Sequence, residues 1–268
     1  MIEKLGVAVL HAHTNHYTER DRSDGRISPI KCLELAVETG VNVLAITDHD
    51  KIAGAIEALE EAESQHLPIS VVVGTEVTTA QGHLLVLFAN KEIPTMLSLR
   101  DSIRLAHEQD ALAIAPHVGV GPIGSIRPQT IIRLFKSGPK NEQLDGLEVL
   151  HPNYSRKQAE ISTALATSCH LAQIGSNDDH FNGIGRGFVT LFPGETAADL
   201  KESIINRGTL AVRSEWPLID VPLKDRMGQL LEGLACGFTR KLRRTPVLVS
   251  TVVALQLEEI DKLLKYLK

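Results

Sequence analysis

Seven of the eleven histidines in this chain adjoin short apolar runs, and acidic residues accompany four of them. V-A-V-L-H-A-H-T carries His11 and His13, and V-L-A-I-T-D-H-D carries Asp48, His49 and Asp50. V-V-V-G-T-E-V supplies Glu76, G-H-L-L-V-L-F supplies His83, and A-I-A-P-H-V-G supplies His117. Glu148 and His151 lie in G-L-E-V-L-H-P, and Asp178, Asp179 and His180 in I-G-S-N-D-D-H-F. Imidazole and carboxylate donors without thiolates suit Zn, Mn or Fe better than Mg, which prefers oxygen octahedra. Residues i and i+2 of an extended strand point the same way, so His11 and His13 can bind one ion together. Asp178 and His180 share that spacing, and a carboxylate such as Glu76 can bridge two ions. Bridged metals clamp attacking and leaving oxygens and bring a bound water towards neutral pKa, which suits phosphate-ester hydrolysis.

Each signal has a plainer reading when taken alone. T-D-H-D can be a helix start, with Asp50 capping the helix after it. Asp24 before Gly25 can be a turn. Glu76 is harder to set aside, because a carboxylate buried among Val and Thr without a partner is expensive. One metal cluster explains all of them together. The remaining histidines, His16, His66, His107 and His170, are scattered.

These residues need elements to bring them together. Strands are predicted at 6–10, 43–46, 69–77, 84–89, 111–115, 146–150 and 172–175. Helices are predicted at 28–39, 52–65, 96–110, 128–135, 155–168 and 196–207. The alternation predicts a parallel α/β arrangement. Only Ala80-Gln81-Gly82 separates the third and fourth strands, so a hairpin or truncated unit is expected there. Parallel barrels gather chemistry where the carboxyl ends of their strands meet the adjoining loops, and the metal-type residues lie beside such ends.

A chain of 268 residues, 43% hydrophobic, with a mean hydropathy of -0.01, can bury one full core. Cys32, Cys169 and Cys236 show no C-x-x-C spacing, which disfavours a disulfide framework or thiolate zinc site and points to a reducing, cytoplasmic setting. The first strand begins within a dozen residues of Met1, so no secretory leader is expected. The apolar stretch 247–257 is far shorter than the ~20 residues of a membrane span, so no stable membrane insertion is expected. Residues 217–268 hold nine Lys/Arg and six Asp/Glu, a balance of +3, and the preceding part has a balance of -8. An acidic first part suits a site for divalent cations. In the last part, Leu230, Leu231, Leu234 and Phe238 precede Arg240, Lys241, Arg243 and Arg244. That pattern is read as an amphipathic helix with a solvated basic end, or as a contact for nucleic acid or anionic lipid.

H-A-H-T, S-D-G, I-T-D-H-D, G-T-E-V, G-H-L-L, A-P-H and S-N-D-D-H resemble, in order, the motifs of the PHP (polymerase and histidinol phosphatase) family. The resemblance covers roughly residues 5 to 215 and includes G-I-G-R-G-F-V-T-L-F-P-G-E-T after the last motif. It implies a distorted (β/α)7 barrel over 1–216 with a helical, basic C-terminal extension over 217–268. It also implies a metal-dependent phosphoesterase with a trinuclear Mn, Zn or Fe site and a metal-activated hydroxide. One ion would take His11, His13, Glu76 and Asp178. A second would share Glu76 and add His83 and His117, and a third would take Asp24, His49 and His180. Relatives often read S-D-x-H where this chain reads S-N-D-D-H. Asp178 is therefore chosen by its spacing to His180, with Asp179 the alternative. Asp24 matches the S-D-G branch, which includes nucleotide and oligonucleotide phosphoesterases.

A phosphoesterase also needs a cation to hold phosphate oxygens, ideally a forked arginine. Arg127 and Arg186, each just beyond a metal motif, are the candidates. Glu148, His151, Asp48 and Asp50 are candidates for orienting the ligands. The expected substrate is a small phosphorylated metabolite, a nucleotide or a short nucleic acid, and the oligomeric state stays open. Two other functions remain: hydrolysis of a different ester or an amide on the same cluster, and a non-catalytic, metal-stabilised interaction module.

Overall fold

The computed structural model describes residues 4–16, 18, 19, 22–121 and 124–215. The expected C-terminal extension and its basic cluster lie outside the described residues. In chain order the elements are β1 (Leu5–Val9), the short hairpin β2 (Thr18–Glu19) and β3 (Arg22–Ser23), α1 (Pro29–Glu38), β4 (Val43–Ile46) and α2 (Ala53–Ser64). Then come β5 (Ser70–Thr79), β6 (Gly82–Leu87), α3 (Leu99–His107), β7 (Leu112–Ala115), α4 (Pro128–Ser137) and β8 (Gly146–Leu150). The last are α5 (Arg156–Ser168), β9 (Ala172–Gly175), β10 (Phe188–Pro193), α6 (Ala197–Ile205) and β11 (Leu210–Arg213). Nine strands form one sheet in the order β11-β10-β1-β4-β5-β6-β7-β8-β9. Its two edges approach each other, with Thr209 Oγ1 donating to the Gln173 carbonyl and Gly175 N to Thr190 Oγ1. The result is a mixed sheet nearly closed into a barrel, with helices around it.

All seven expected strands form, and the hairpin between the third and fourth is β5–β6. The register decides one point left open and corrects another. β6 pairs antiparallel with both β5 and β7, so it runs against the other predicted strands. Its first residues, His83 among them, therefore lie at the end where the parallel strands finish. β10 and β11, absent from the sequence expectation, add an antiparallel pair beside β1. β11 runs in the common direction and β10 against it.

Alternation along the strands divides the core. Ala8, Leu10, Val43, Ala45, Val72, Leu85, Leu87, Ile114 and Ile174 fill the interior, and α6 adds Leu200 and Ile204 to the same cluster. Val9, Leu44, Ile46 and Val71 face outward beneath α1 and α2. This two-residue period is what a sheet covered on both faces requires. Four helix starts are capped by side chains: Ser28, Ser98 and Ser155 accept from the backbone three residues on, and Thr196 forms a capping box with Asp199.

Candidate metal centre

The mouth of the barrel is built on Glu76, which is 1% exposed. It lies inside β5, which runs past the end of β4 and bridges to His49. Glu76 Oε2 stands 3.2 Å from His11 Nε2, 3.2 Å from His13 Nε2 and 3.4 Å from His49 Nε2. Its other oxygen stands 2.8 Å from His117 Nε2 and 3.0 Å from His83 Nδ1. Asp178 Oδ1 closes the far side, 3.3 Å from His11 Nε2, 3.1 Å from His13 Nε2 and 3.4 Å from His180 Nδ1. Asp24 Oδ2 accepts from His13 Nδ1 and from the His49 amide. The His13 and His180 rings stack with centroids 4.0 Å apart.

Three groups present donor atoms that all lie within 4.8 Å of one another: His11, His13, Glu76 and Asp178; His13, Asp24, His49 and His180; and His49, Glu76 and His83. His117 belongs to none of them, although it touches Glu76. His13 and His49 each belong to two. The donors fit metal ions on a direct observation. His11 Nε2, His13 Nε2 and Asp178 Oδ1 are buried and lack a hydrogen-bond partner, yet they face one another at 3.1–3.3 Å. Donor atoms about 2.1 Å from a common ion stand about 3.0–3.4 Å apart in octahedral or tetrahedral geometry. Buried polar atoms are otherwise almost always hydrogen-bonded.

The electrostatics agree. Burial alone would suppress charge on His11, but Asp178, Glu76 and Glu148 outweigh it and carry its pKa up to about 10. His13 is raised in the same way against burial, chiefly by Asp24. Burial would lift the Glu76 carboxyl, but His49, His11 and His83 hold it well below the usual range. Asp178 is likewise held down against burial, by His11 and His180. The carboxylates thus stay charged and draw positive charge into the pocket, a role that divalent ions fill without protons. Burial dominates at His49, whose pKa is lowered.

Supporting contacts orient these groups. Glu148, fully buried on β8, accepts from His11 Nδ1 at 2.8 Å and from the His117 amide at 2.6 Å. The hydroxyl of Ser176 also donates to it. Asp48 accepts from the Thr14 amide and hydroxyl at 2.5 and 2.7 Å, and burial lifts its pKa to about 6. Asp50 does not cap α2, whose start at Ile52 has no side-chain cap. It accepts instead from the Thr78 amide and hydroxyl, tying its loop to β5. Gly25 belongs to more than a turn: a Cβ there would stand 2.3 Å from the His13 carbonyl. Of the two neighbouring carboxylates, Asp178 turns into the cluster. Asp179 accepts from the Phe181 amide, and its own backbone pairs with the His11 and His13 main chain. Ser176 and Ser125, the latter 3.3 Å from His117 Nδ1, went unnoticed in the sequence because a lone serine carries no spacing signal.

Arg127 sits exposed at the start of α4, and among the described residues its guanidinium makes no hydrogen bond or ion pair with the cluster. Arg186 is half-buried. Its amide donates to Gly183, and its carbonyl accepts from Asn177 Nδ2. A cleft of about 310 Å³ lies beside the loops after His117 and His151, lined by Gly119, Val120, Asn153, Ser155, Lys157 and Gln158. Among the described residues, no helix is long and apolar enough to cross a membrane.

A nearly closed α/β barrel with histidines and carboxylates converging at one mouth defines a metal-site scaffold. Residues 10–120 match the PHP domain family. An uncharacterized protein of Methanocaldococcus jannaschii is 34% identical over 149 residues, covering 54% of this chain and 81% of that protein. A 5'-3' exoribonuclease of Haemophilus influenzae is 36% identical over 109 residues, which is 39% of this chain and 37% of the enzyme. The fold is shared with a two-domain Bacteroides vulgatus protein containing a predicted PHP-like metal-dependent phosphoesterase. That match has a TM-score of 0.64 at 21% identity and covers 86% of this chain and 70% of that one. The chain belongs to the PHP family.

Proposed function

We propose that this protein is a metal-dependent phosphoesterase that hydrolyses a phosphomonoester or an (oligo)nucleotide phosphate. The observation that carries this reading is the Glu76 carboxylate, sealed from solvent and within 3.4 Å of five imidazoles. As a purely structural device such a group is poorly suited, because apolar packing of similar volume often stabilises as well or better. In this reading His11, His13, Glu76 and Asp178 hold one ion; Glu76, His83 and His117 hold a second; Asp24, His49 and His180 hold a third. The contacts of His13 and His49 with two groups each support a shared, polynuclear site. Mn, Zn or Fe suits the mixed nitrogen and oxygen donors. Bound ions would supply an activated water and charge stabilisation for the phosphoryl oxygens.

The chain's own residues do the positioning. Glu148 holds the His11 ring by its second nitrogen, and Asp24 does the same for His13. Arg127 and Arg186 are the proposed phosphate-holding cations. The partial likeness to an exoribonuclease supports a nucleotide or short nucleic acid as substrate. The free, buried Cys32 and Cys169 support a reducing, cytoplasmic setting. The test is turnover of nucleoside monophosphates, 3',5'-bisphosphates, histidinol phosphate and short oligonucleotides by protein loaded with Mn, Zn or Fe. Release of phosphate or nucleotide from at least one is expected, and loaded protein inert towards all would refute the reading. Arg127→Ala and Arg186→Ala should separate the two arginines, and unchanged Michaelis constants in both would discard them.

A further inference from the structure

His151 stands at the end of β8, three residues beyond Glu148, and is 2% exposed. Its Nδ1 accepts from the Asn153 amide at 3.1 Å, so the ring proton sits on Nε2. That Nε2 is buried and has no hydrogen-bond partner. It looks toward Asp178 Oδ2 at 3.8 Å, close enough to help hold that carboxylate charged but beyond the reach of a well-formed hydrogen bond. The ring is held between Tyr154, 5.5 Å away, and His117, 5.9 Å away, centroid to centroid. A buried donor without an acceptor costs about 1–3 kcal/mol, and nothing in the packing requires it. A metal ligand must offer a lone pair, whereas this nitrogen offers a proton. His151 also lies outside all three donor groups. Asn153, whose amide fixes the ring, also lines the cleft after the His117 and His151 loops.

We propose that His151 is a substrate-contacting hydrogen-bond donor that receives an oxygen of the phosphoryl group beside Asp178. This rests on the phosphoesterase reading. The ring gives up no proton in this role. Its fixed N–H meets charge that grows on oxygen during transfer, and it is oriented before substrate arrives. The remainder of the substrate would then extend into the cleft.

The experiment uses full-length, Mn-loaded protein and the variants His151→Ala and His151→Gln, the second of which keeps an N–H donor. Metal content, affinity for inorganic phosphate by titration calorimetry, and kcat/KM on a turned-over phosphoester between pH 6 and 9 are measured. His151→Ala should keep the wild-type metal content. It should lose about 10- to 100-fold in both phosphate affinity and kcat/KM, by a similar factor at every pH. His151→Gln should recover most of that loss. Metal lost along with activity, phosphate affinity unchanged, no recovery in His151→Gln, or a defect confined to one limb of the pH profile would each overturn the proposal. Wild-type protein that binds no phosphate would do the same. Phosphate binding that weakens in His151→Ala without turnover of any ester would refute the phosphoesterase reading and leave the donor standing.

Discussion

The two ends of the barrel use the same unusual backbone conformation for opposite purposes. At the end where helices feed strands, His66, Asp110, His170 and Arg207 have φ between 51° and 60°. Each terminates a helix: His66 N bonds Glu63 O and Leu67 N bonds Ala62 O, and the same pair of bonds recurs after α3, α5 and α6. Charges there are paired, as in Lys4–Glu195 and Lys201–Asp110. At the mouth, Asp50, His117 and Asp178 take φ of 59°, 30° and 52° without ending any helix. They aim side chains at Thr78, Glu76 and the His11–His13 pair. Among the described residues, buried side-chain atoms without a hydrogen-bond partner gather at the mouth, on His11, His13, His49, His151 and Asp178, with the Ser102 and Ser162 hydroxyls of α3 and α5 apart from them. Strain that reverses the chain differs from strain that aims donors, and only the second implies a ligand.

The comparison breaks most severely at Asp178. Asp178→Ala should lower phosphoester turnover on the order of a thousandfold, a size typical of lost charge stabilisation, and should reduce metal content. Near-wild-type rates would reject its place among the donors. Glu148→Gln keeps the shape but weakens the grip on His11, so metal affinity should fall about 10- to 100-fold. Titration with a competing chelator would read this, and unchanged affinity would make Glu148 a packing residue.

The mouth should also dominate the pH dependence of the metal-free protein. His11 is raised from 6.5 to about 10, so its contribution to stability is full below 6.5 and disappears as pH climbs toward 10. Glu76 and Asp178 are depressed, so their contribution is present above their ordinary values and is lost on acidification. His49, being lowered, adds to the loss on the acid side. Metal-free protein should therefore melt at its highest temperature between about pH 4.5 and 6.5. Metal ions need deprotonated histidines, so the gain in Tm on adding Mn should widen from pH 6 to pH 9. A gap that narrows over that range would contradict the assignment. The smallest effect belongs to the other end. His66→Gly relieves a left-handed residue at an exposed helix terminus, so stability should rise by about 0.5–1 kcal/mol with turnover unchanged. A lowered Tm would show that the His66 side chain contributes more than its backbone costs.

Much of this was legible in the residues. The barrel strands read as apolar runs because both their faces are buried, and His11 and His13 read as a pair because a strand repeats every two residues. β10 escaped because F-V-T-L-F-P comes after a glycine-rich loop and depends on β1 for its pairing. β11 has only four residues, one of them exposed. The direction of β6 was open because a run of Leu and Val does not say which way it points. The grouping of donors was less legible than their identity. His117 comes to face Glu76 and Asp178 comes to face His13 through loop conformations with positive φ, which side-chain types at those positions do not announce. Glu148 could be named as a supporting residue, while its bond from Ser176 needed two strands placed side by side.

The most direct test is anomalous X-ray scattering at the metal edge from crystals of Mn- or Zn-loaded protein. The account predicts at least two peaks within about 5 Å of one another, each bonded to His and carboxylate donors at about 2.0–2.2 Å, with Glu76 shared between two of them. Full-occupancy loading that leaves the space around Glu76 without a peak, or places the ions elsewhere on the molecule, would contradict it.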